Sequence, residues 1–163
     1  MNSLLPIRQI ALAFSLSVIL LLSLISPAIA AAENDLPSGA ARGSLTFEGH
    51  TAEFKFAAAF VDQKDSDKPV VLLLTDTKLP TEKWTSEFDM MRDKTKWNGI
   101  VFFLKDGVAI RSDIEMNGRH TSISGIFELK LDNSASKDLT GKATTDDGAK
   151  DATLKVTFHA TLK

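Results

Sequence analysis

The sequence predicts a mainly β domain of about eight antiparallel strands, forming a sandwich or a small barrel, with one amphipathic helix packed on the sheet. Three observations predict this class. Apolar and polar residues alternate with a period of two through most of the chain after Gly43. Turn pairs that contain glycine separate these alternating runs. One stretch between the third and fourth strands, from residue 81 to about residue 96, has the period of a helix instead.

The first 31 residues have the layout of a secretory signal peptide. Arg8 precedes a mostly apolar stretch, 10–25, and small residues follow at Ala28 and Ala30. Small residues at this spacing fit the pocket of a signal peptidase, so we expect cleavage after Ala30 or one or two residues later. An uncleaved anchor is the alternative, because the apolar stretch is only slightly shorter than a bilayer span. We therefore predict an exported protein, periplasmic or extracellular, without a membrane span once the signal is removed.

Residues 32–42 lack periodicity and predict a flexible leader, whereas 43–163 predict a single β-rich domain.

The composition of the chain excludes several classes of partner and of binding site. The chain has 19 basic and 21 acidic residues, which are interspersed, so we expect no binding to nucleic acid. It has no cysteine, which excludes disulfides, thiolate metal sites and a lipidated cysteine anchor. A cysteine-free exported chain suits a bacterial envelope.

The first strands are predicted from alternation and from runs that are apolar throughout. Residues 45–47 and 54–60 form a hairpin around Gly49-His50, with Phe54, Phe56, Ala58 and Phe60 on one face. Two later strands, 70–74 and 100–104, are apolar at every position. Both faces of these two strands must therefore be covered.

The helical stretch lies between those two apolar strands. Trp84, Phe88 and Met91 recur at spacings of four and three, which places them on one face of a helix. Pro80 and Thr81 mark its start, and Asn98-Gly99 end it. We predict that this apolar stripe packs on strands 70–74 and 100–104.

The second half of the domain returns to alternation. Asp106-Gly107 and Asn117-Gly118 predict two tight hairpins. Apolar residues from Ile123 to Leu131 form the next inward row. A weaker strand, 139–143, and a closing strand, 154–162, complete the count.

Motifs for catalysis, metals and cofactors are absent from the sequence. It has no nucleophile elbow, no phosphate-binding loop and no dinucleotide fingerprint. The loop with Asp62, Asp65 and Asp67 lacks the glycine and glutamate of a calcium-binding EF-hand. Ser134 and Lys137 have the spacing of serine acyl-transfer enzymes but lie in a predicted turn. We therefore predict no catalytic, metal or cofactor-binding residue, and an enzyme is the less favoured class.

The sequence offers few candidates for ligand contact. The three histidines, His50, His120 and His159, are predicted to be exposed turn and strand residues, and none has a second histidine at metal-ligand spacing. Trp97 is the candidate for stacking on a sugar ring, and its alternative role is to anchor the end of the helix. If the sheet encloses a cavity, its lining is predicted to be Phe54, Phe56, Phe60, Trp84, Phe88 and Met91.

Several short features resemble uncharacterised exported bacterial β-rich proteins of about this length. These features are Leu74-Thr75-Asp76, the Leu-Pro pair before the helix, Gly141 before the Thr145-Asp146 turn, and Val156-Thr157-Phe158 followed by Ala160. The resemblance covers most of the mature domain. It implies an exported β fold and assigns no activity and no functional residues.

These observations together predict an exported soluble binding or interaction module, either a monomer or a homodimer. Its first form is a carrier of a small apolar ligand, held between the helix and the inner face of the sheet. The alternative is a module that binds a partner protein through an exposed edge strand, near Gly125 or at the weak strand 139–143. An envelope-directed hydrolase is a further alternative, which requires a polar cluster in one cleft.

Overall fold

The structure, a computed structural model, describes residues 36–133, 137–146, 149 and 151–163. The predicted signal peptide, residues 32–35 of the predicted leader and Ser134 lie outside these residues. Nine strands are described: β1 (Ala40–Phe47), β2 (His50–Val61), β3 (Val70–Thr75), β4 (Gly99–Lys105), β5 (Val108–Met116), β6 (Arg119–Ile123), β7 (Phe127–Leu131), β8 (Asp138–Thr145) and β9 (Ala152–Thr161). A 3-10 helix, Thr81–Lys83, and an α-helix, α1 (Glu87–Arg92), lie between β3 and β4. No helix in this part of the chain is long and apolar enough to cross a membrane.

All nine strands belong to one antiparallel sheet, in the order β6-β5-β4-β3-β2-β1-β9-β8-β7. The mainly β antiparallel class is therefore confirmed, with nine strands where about eight are predicted. The extra strand arises because the predicted inward row from Ile123 to Leu131 is two strands, β6 and β7. Gly125, with a φ of 76°, lies in the link between them and breaks the extended backbone.

The sheet curls into a half-barrel. Phe102 of β4 and Phe127 of β7 stand far apart in the strand order, yet their rings meet edge to face at 6.4 Å. The curl brings side chains of most strands into one cluster on the concave face, which we call the inner core. Its fully buried large members are Leu45, Leu72, Leu74, Ile100, Phe102, Ile114 and Phe158.

Strand β2 changes phase, which the sequence pattern does not reveal. Phe54 faces the inner core, but beyond it Ala57 and Ala59 face inward while Phe60 lies on the opposite face. The prediction that Phe54 and Phe60 share a face is therefore wrong. The register of β1 on β2 shifts between Ala40 and Gly43, at the same level of the sheet. Such an irregularity changes the side-chain alternation of one strand relative to its partner, and because β1 pairs with β9 without a shift, the change occurs in β2.

The connection between β3 and β4 covers the outer, convex face of those two strands. Buried there is an outer cluster composed of Phe60, Val71, Leu73, Leu79, Trp84, Met90, Val101 and Phe103. Strands β3 and β4 are thus covered on both faces, as their uniformly apolar sequences predict. The covering segment is not the long helix predicted for residues 81–96, since it contains only one 3-10 turn and the six residues of α1.

The prediction that Trp84, Phe88 and Met91 form one buried apolar stripe is also wrong in part. Trp84 is buried, but Phe88 and Met91 are 52% and 61% exposed, and Met90 is buried instead. Trp84 has extended backbone and precedes the helix, which begins only after the N-cap residue Ser86. A single helical period therefore cannot extend from Trp84 to Met91.

The acidic loop after β2 holds the start of α1 in place. The carboxylate of Asp62 is buried and accepts hydrogen bonds from the backbone N–H groups of Lys64 and Asp65, at 2.9 and 3.2 Å. It also accepts one from the backbone N–H of Glu87, the first residue of α1, at 2.8 Å. Asp62 thus satisfies an N–H group that a helix start leaves free.

We expect acid to release the turn that precedes α1. Asp89 accepts hydrogen bonds from the backbone N–H and the hydroxyl of Thr85, both 2.9 Å long, and these bonds lower the pKa of Asp89 from 3.8 to about 2. A lowered pKa means that this stabilisation is complete above about pH 4 and is lost as the pH falls through about 2. The NMR shift of the Thr85 amide proton should therefore titrate with a midpoint near 2. A midpoint at 3.8, or an unchanged titration in the control variant Asp89→Asn, would contradict this expectation.

Candidate functional site

The six residues predicted to line a cavity do not lie together. Their positions are Phe54 in the inner core, Phe60 and Trp84 in the outer cluster, Phe56 partly buried on the outer face, and Phe88 and Met91 exposed. The covering segment packs on the convex face, so the sheet itself separates that segment from the inner core. The predicted site between the helix and the inner face is therefore not formed.

A groove opens on the convex side instead, with a volume of about 520 Å³. One wall comes from residues 90–98, which comprise the end of α1 and the stretch after it and include Trp97. The other wall and the floor come from Val101 of β4, from Asp113 and Glu115 of β5, and from residues 117–120 around the β5–β6 turn. We call this the outer groove.

The alternation of side chains along β5 explains why one wall of the outer groove is charged. Ser112, Ile114 and Met116 are buried, so the intervening Asp113 and Glu115 project to the convex face. In the β5–β6 hairpin Glu115 is paired with His120. Directly opposed residues in an antiparallel pair are neighbours on one face. The Asn117-Gly118 turn, whose two φ angles of 54° and 74° suit a tight hairpin, therefore brings His120 to the groove.

Asp113 is the most unusual of these residues, because it is a carboxylate with only 1% exposure. Arg111 Nη2 lies 3.2 Å from Asp113 Oδ2, but neither carboxylate oxygen of Asp113 has a hydrogen-bond partner among the residues that the structure describes. Arg111 is also shared, since the same nitrogen is 2.6 Å from Glu87 Oε1. The Arg111 guanidinium stacks 3.5 Å above the centre of the Phe103 ring, which restricts its movement.

His120 lies between two carboxylates. Its Nε2 is 3.6 Å from Asp113 Oδ2, and its Nδ1 is 3.6 Å from Glu115 Oε2. Both distances exceed those of hydrogen bonds. The imidazole side chain is 48% exposed, whereas Asp113 behind it is buried. His120 therefore covers a carboxylate whose capacity to accept hydrogen bonds is unused.

A hydrogen-bond network holds the other end of the groove. Asp76, just after β3, accepts bonds from the backbone N–H and the side-chain amide of Asn98, at 2.9 and 2.7 Å. Burial raises the pKa of Asp76, but these bonds outweigh that effect and the pKa is lowered. The side-chain oxygen of Asn98, Oδ1, in turn accepts a bond from the backbone N–H of Asn117 at 2.7 Å. Trp97 thus precedes a residue that is bonded both to Asp76 and to the β5–β6 turn.

The sequence identified some of these residues and missed others. Trp97 is a candidate on sequence grounds and lines the groove, together with His120, which the sequence predicts only as an exposed strand residue. The alternation of the sequence along β5 indicates only that Asp113 and Glu115 face away from Ile114 and Met116, and no motif marks them as a site. The sequence nevertheless contains one indication. Their strand follows the strand 100–104, whose outward face must be covered, so charged residues on the same face of the next strand are expected to be partly buried.

The other features that the sequence analysis singled out lie outside the outer groove. Strand β8, which contains the predicted weak strand 139–143, is paired with both β7 and β9, so it is not an edge. That prediction is wrong because β7 covers its second side. Gly125 lies in the short link between β6 and β7, which are the two edges of the described sheet. His159 Nδ1 is 2.8 Å from the carbonyl oxygen of Leu36 and anchors residues before β1.

No protein-family model, curated protein or solved structure matches this chain.

Proposed function

We propose that this protein is an exported binding module whose ligand site is the outer groove. The observation that carries the proposal is the buried Asp113 carboxylate, which lacks hydrogen bonds and forms part of the wall of an open groove. Small-molecule sites have volumes of roughly 300 to 1,000 Å³ and combine apolar walls with a few polar groups. The outer groove has a volume in this range, and the apolar side chains of Met90, Met91, Trp97 and Val101 line it together with its polar groups. The signal-like layout of residues 1–31 supports export.

The packing of the inner core favours the groove over an interior site. The inner core is a continuous cluster of buried apolar side chains, which includes large ones that are fully buried. A carrier of an apolar ligand would need free space on the concave face, and these side chains already occupy that face. The groove instead offers carboxylates beside Trp97 and the exposed Met91. This combination supports a small ligand with a polar end and an apolar or planar part.

The same groove is relevant to the hydrolase alternative, which requires a polar cluster in one cleft. Asp113, Glu115 and His120 form such a cluster. However, both ring nitrogens of His120 face carboxylates rather than a hydroxyl nucleophile, and neither distance is that of a hydrogen bond. The geometry therefore supports binding better than acyl transfer.

A direct test uses the two tryptophans as separate reporters. Trp97 lines the groove and Trp84 is buried in the outer cluster, so only the Trp97 indole resonance should respond to a ligand. We expect an NMR screen of amines, guanidinium compounds, sugars, nucleosides and carboxylic acids to give at least one compound that shifts Trp97 saturably and leaves Trp84 unchanged. A screen in which no compound shifts Trp97, or in which hits shift the β8–β9 amides instead, would contradict the proposal.

One observation favours the edge-strand alternative as a second candidate. Strand β6 pairs with β5 only from Ser112 onward, so no strand in the described part of the sheet pairs with residues 108–111 on that side. Val108 and Ile110 in this stretch are 64% and 54% exposed. An exposed edge with large apolar side chains can accept a strand from another protein.

A further inference from the structure

We infer that the outer groove binds a guanidinium group, which takes the place of the His120 imidazole between Asp113 and Glu115. This inference rests on the proposed function, because it names the ligand chemistry of the same site. Three independent features of the groove support it: its charge, the state of Asp113 and the position of His120.

The charge of the lining favours a cation. Three carboxylates line the groove, on Asp93, Asp113 and Glu115, against one ammonium group, on Lys96. Hydrogen bonds from the hydroxyl and the backbone N–H of Thr95 lower the pKa of Asp93, which is therefore ionised at neutral pH. A concave surface lined mainly by one sign of charge attracts ligands of the opposite sign.

The Asp113 carboxylate can accept hydrogen bonds from a ligand. Within the described part of the chain, both of its carboxylate oxygens are buried without a hydrogen bond, and Arg111, its ion-pair partner, is shared with Glu87. A buried charged acceptor that lacks hydrogen bonds is costly to the folded state. A ligand that brings N–H donors to Asp113 removes this cost, and a ligand that carries only acceptors does not.

The position of His120 indicates the shape of the donor. A planar ring with two nitrogens already fits between the two carboxylates, with one nitrogen 3.6 Å from each. The imidazole is half exposed, so it can rotate out of the groove without opening the core. A guanidinium group is also planar, is always charged, and presents several N–H groups in a fixed fork that bonds to carboxylates. It presents N–H donors to both carboxylates at once, whereas a neutral imidazole carries a single N–H.

The remaining wall suits the rest of such a ligand. Trp97 and Met91 offer an aromatic ring and a thioether side chain beside the carboxylates. Guanidinium groups stack on aromatic rings, and the methylene chain of an arginine-type molecule packs on apolar side chains. The source of the guanidinium group is either a small molecule or an arginine side chain of a peptide, and both share this chemistry.

The test compares a charged ligand with a neutral ligand of nearly the same shape. N-acetyl-arginine amide and N-acetyl-citrulline amide, whose ends are both blocked, are titrated into the protein while the Trp97 and Trp84 indole resonances are followed. We expect the arginine compound to shift Trp97 saturably and to bind at least about tenfold more tightly than the citrulline compound. A blocked Gly-Arg-Gly peptide and methylguanidinium then distinguish the two sources, since a peptide ligand binds more tightly than the bare ion.

Variants locate the binding group. Asp113→Asn and Glu115→Gln are each expected to weaken arginine binding about tenfold or more, because each removes one charged acceptor. Glu53→Gln changes an exposed acid on β2 and is expected to leave binding unchanged. His120→Ala is expected to bind as tightly as the natural chain or more tightly, because the competing ring is gone. If Asp113→Asn does not fold, Glu115→Gln alone carries the test, since Glu115 is partly exposed.

The outcomes separate this inference from the function on which it rests. Equal binding of the arginine and citrulline compounds, or unchanged binding in Glu115→Gln, overturns the guanidinium assignment. If sugars or nucleosides shift Trp97 while the arginine compound does not, the assignment fails and the outer groove remains a ligand site. If no compound of any class shifts Trp97, both proposals fail.

Discussion

Replacing Trp84 with alanine is expected to lower the free energy of unfolding by about 3 to 5 kcal/mol. Trp84 is only 6% exposed and meets Phe60 edge to face, with ring centres 6.1 Å apart. Its removal takes the largest side chain out of the outer cluster and leaves a cavity between the covering segment and the sheet. Because β3 and β4 are apolar on this face, the loss also exposes a surface that cannot be solvated well.

Urea unfolding followed by circular dichroism measures this effect without depending on the tryptophan itself. The matched control is Phe88→Ala, which removes an exposed aromatic side chain of α1. We expect that control to change the free energy of unfolding by no more than about 0.5 kcal/mol. A loss below about 1 kcal/mol for Trp84→Ala would mean that the segment does not pack on the sheet as described.

The second large effect is expected from Gly43→Ala, at about 3 kcal/mol or more. Gly43 lies in β1 with a φ of 140°, and a Cβ placed there would overlap the backbone carbonyl oxygen of Lys155 in β9. Backbone atoms of a paired strand cannot move aside as a flexible side chain can. The variant must therefore distort the pairing of β1 with β9, which joins the two halves of the sheet.

The control for this prediction is Gly118→Ala, in the β5–β6 turn. Gly118 also has a positive φ, of 74°, but an added Cβ there meets no atom within 4 Å. The control therefore has the backbone strain of a left-handed residue, about 1 to 2 kcal/mol, without the overlap. Equal losses for the two variants, again measured by urea unfolding, would show that close approach of β9 contributes nothing at Gly43.

The groove and the fold are linked through the covering segment. Glu87 of α1 is bonded to Asp62 at one end of the segment and to Arg111 of β5 on the other side. Asn98 then ties the end of the segment to Asp76 and to the β5–β6 turn. The segment that covers β3 and β4 thus also forms one wall of the outer groove. Its position determines both the burial of Asp113 and the exposure of His120.

Local features of the fold were predictable. Residues with a period of two form strands, and Asp106-Gly107 and Asn117-Gly118 form tight hairpins with positive φ at both positions. These features depend on a few neighbouring residues, on their backbone preferences and on the alternation of side chains. The predicted helical stripe is wrong for a related reason. The backbone is extended at Trp84 and Ser86, so a helical period cannot continue through these residues.

The sequence by itself determined the antiparallel β class, most of the strands, and the need to cover β3 and β4 on both faces. Only the tertiary structure decided the phase change in β2, the side of the sheet on which Trp84 lies, and the meeting of Asp113, Glu115 and His120 beside Trp97. Alternation and turn preferences act over a few residues and can be seen in the sequence. The groove depends on strand register and on contacts between residues far apart in the chain, which no local pattern encodes.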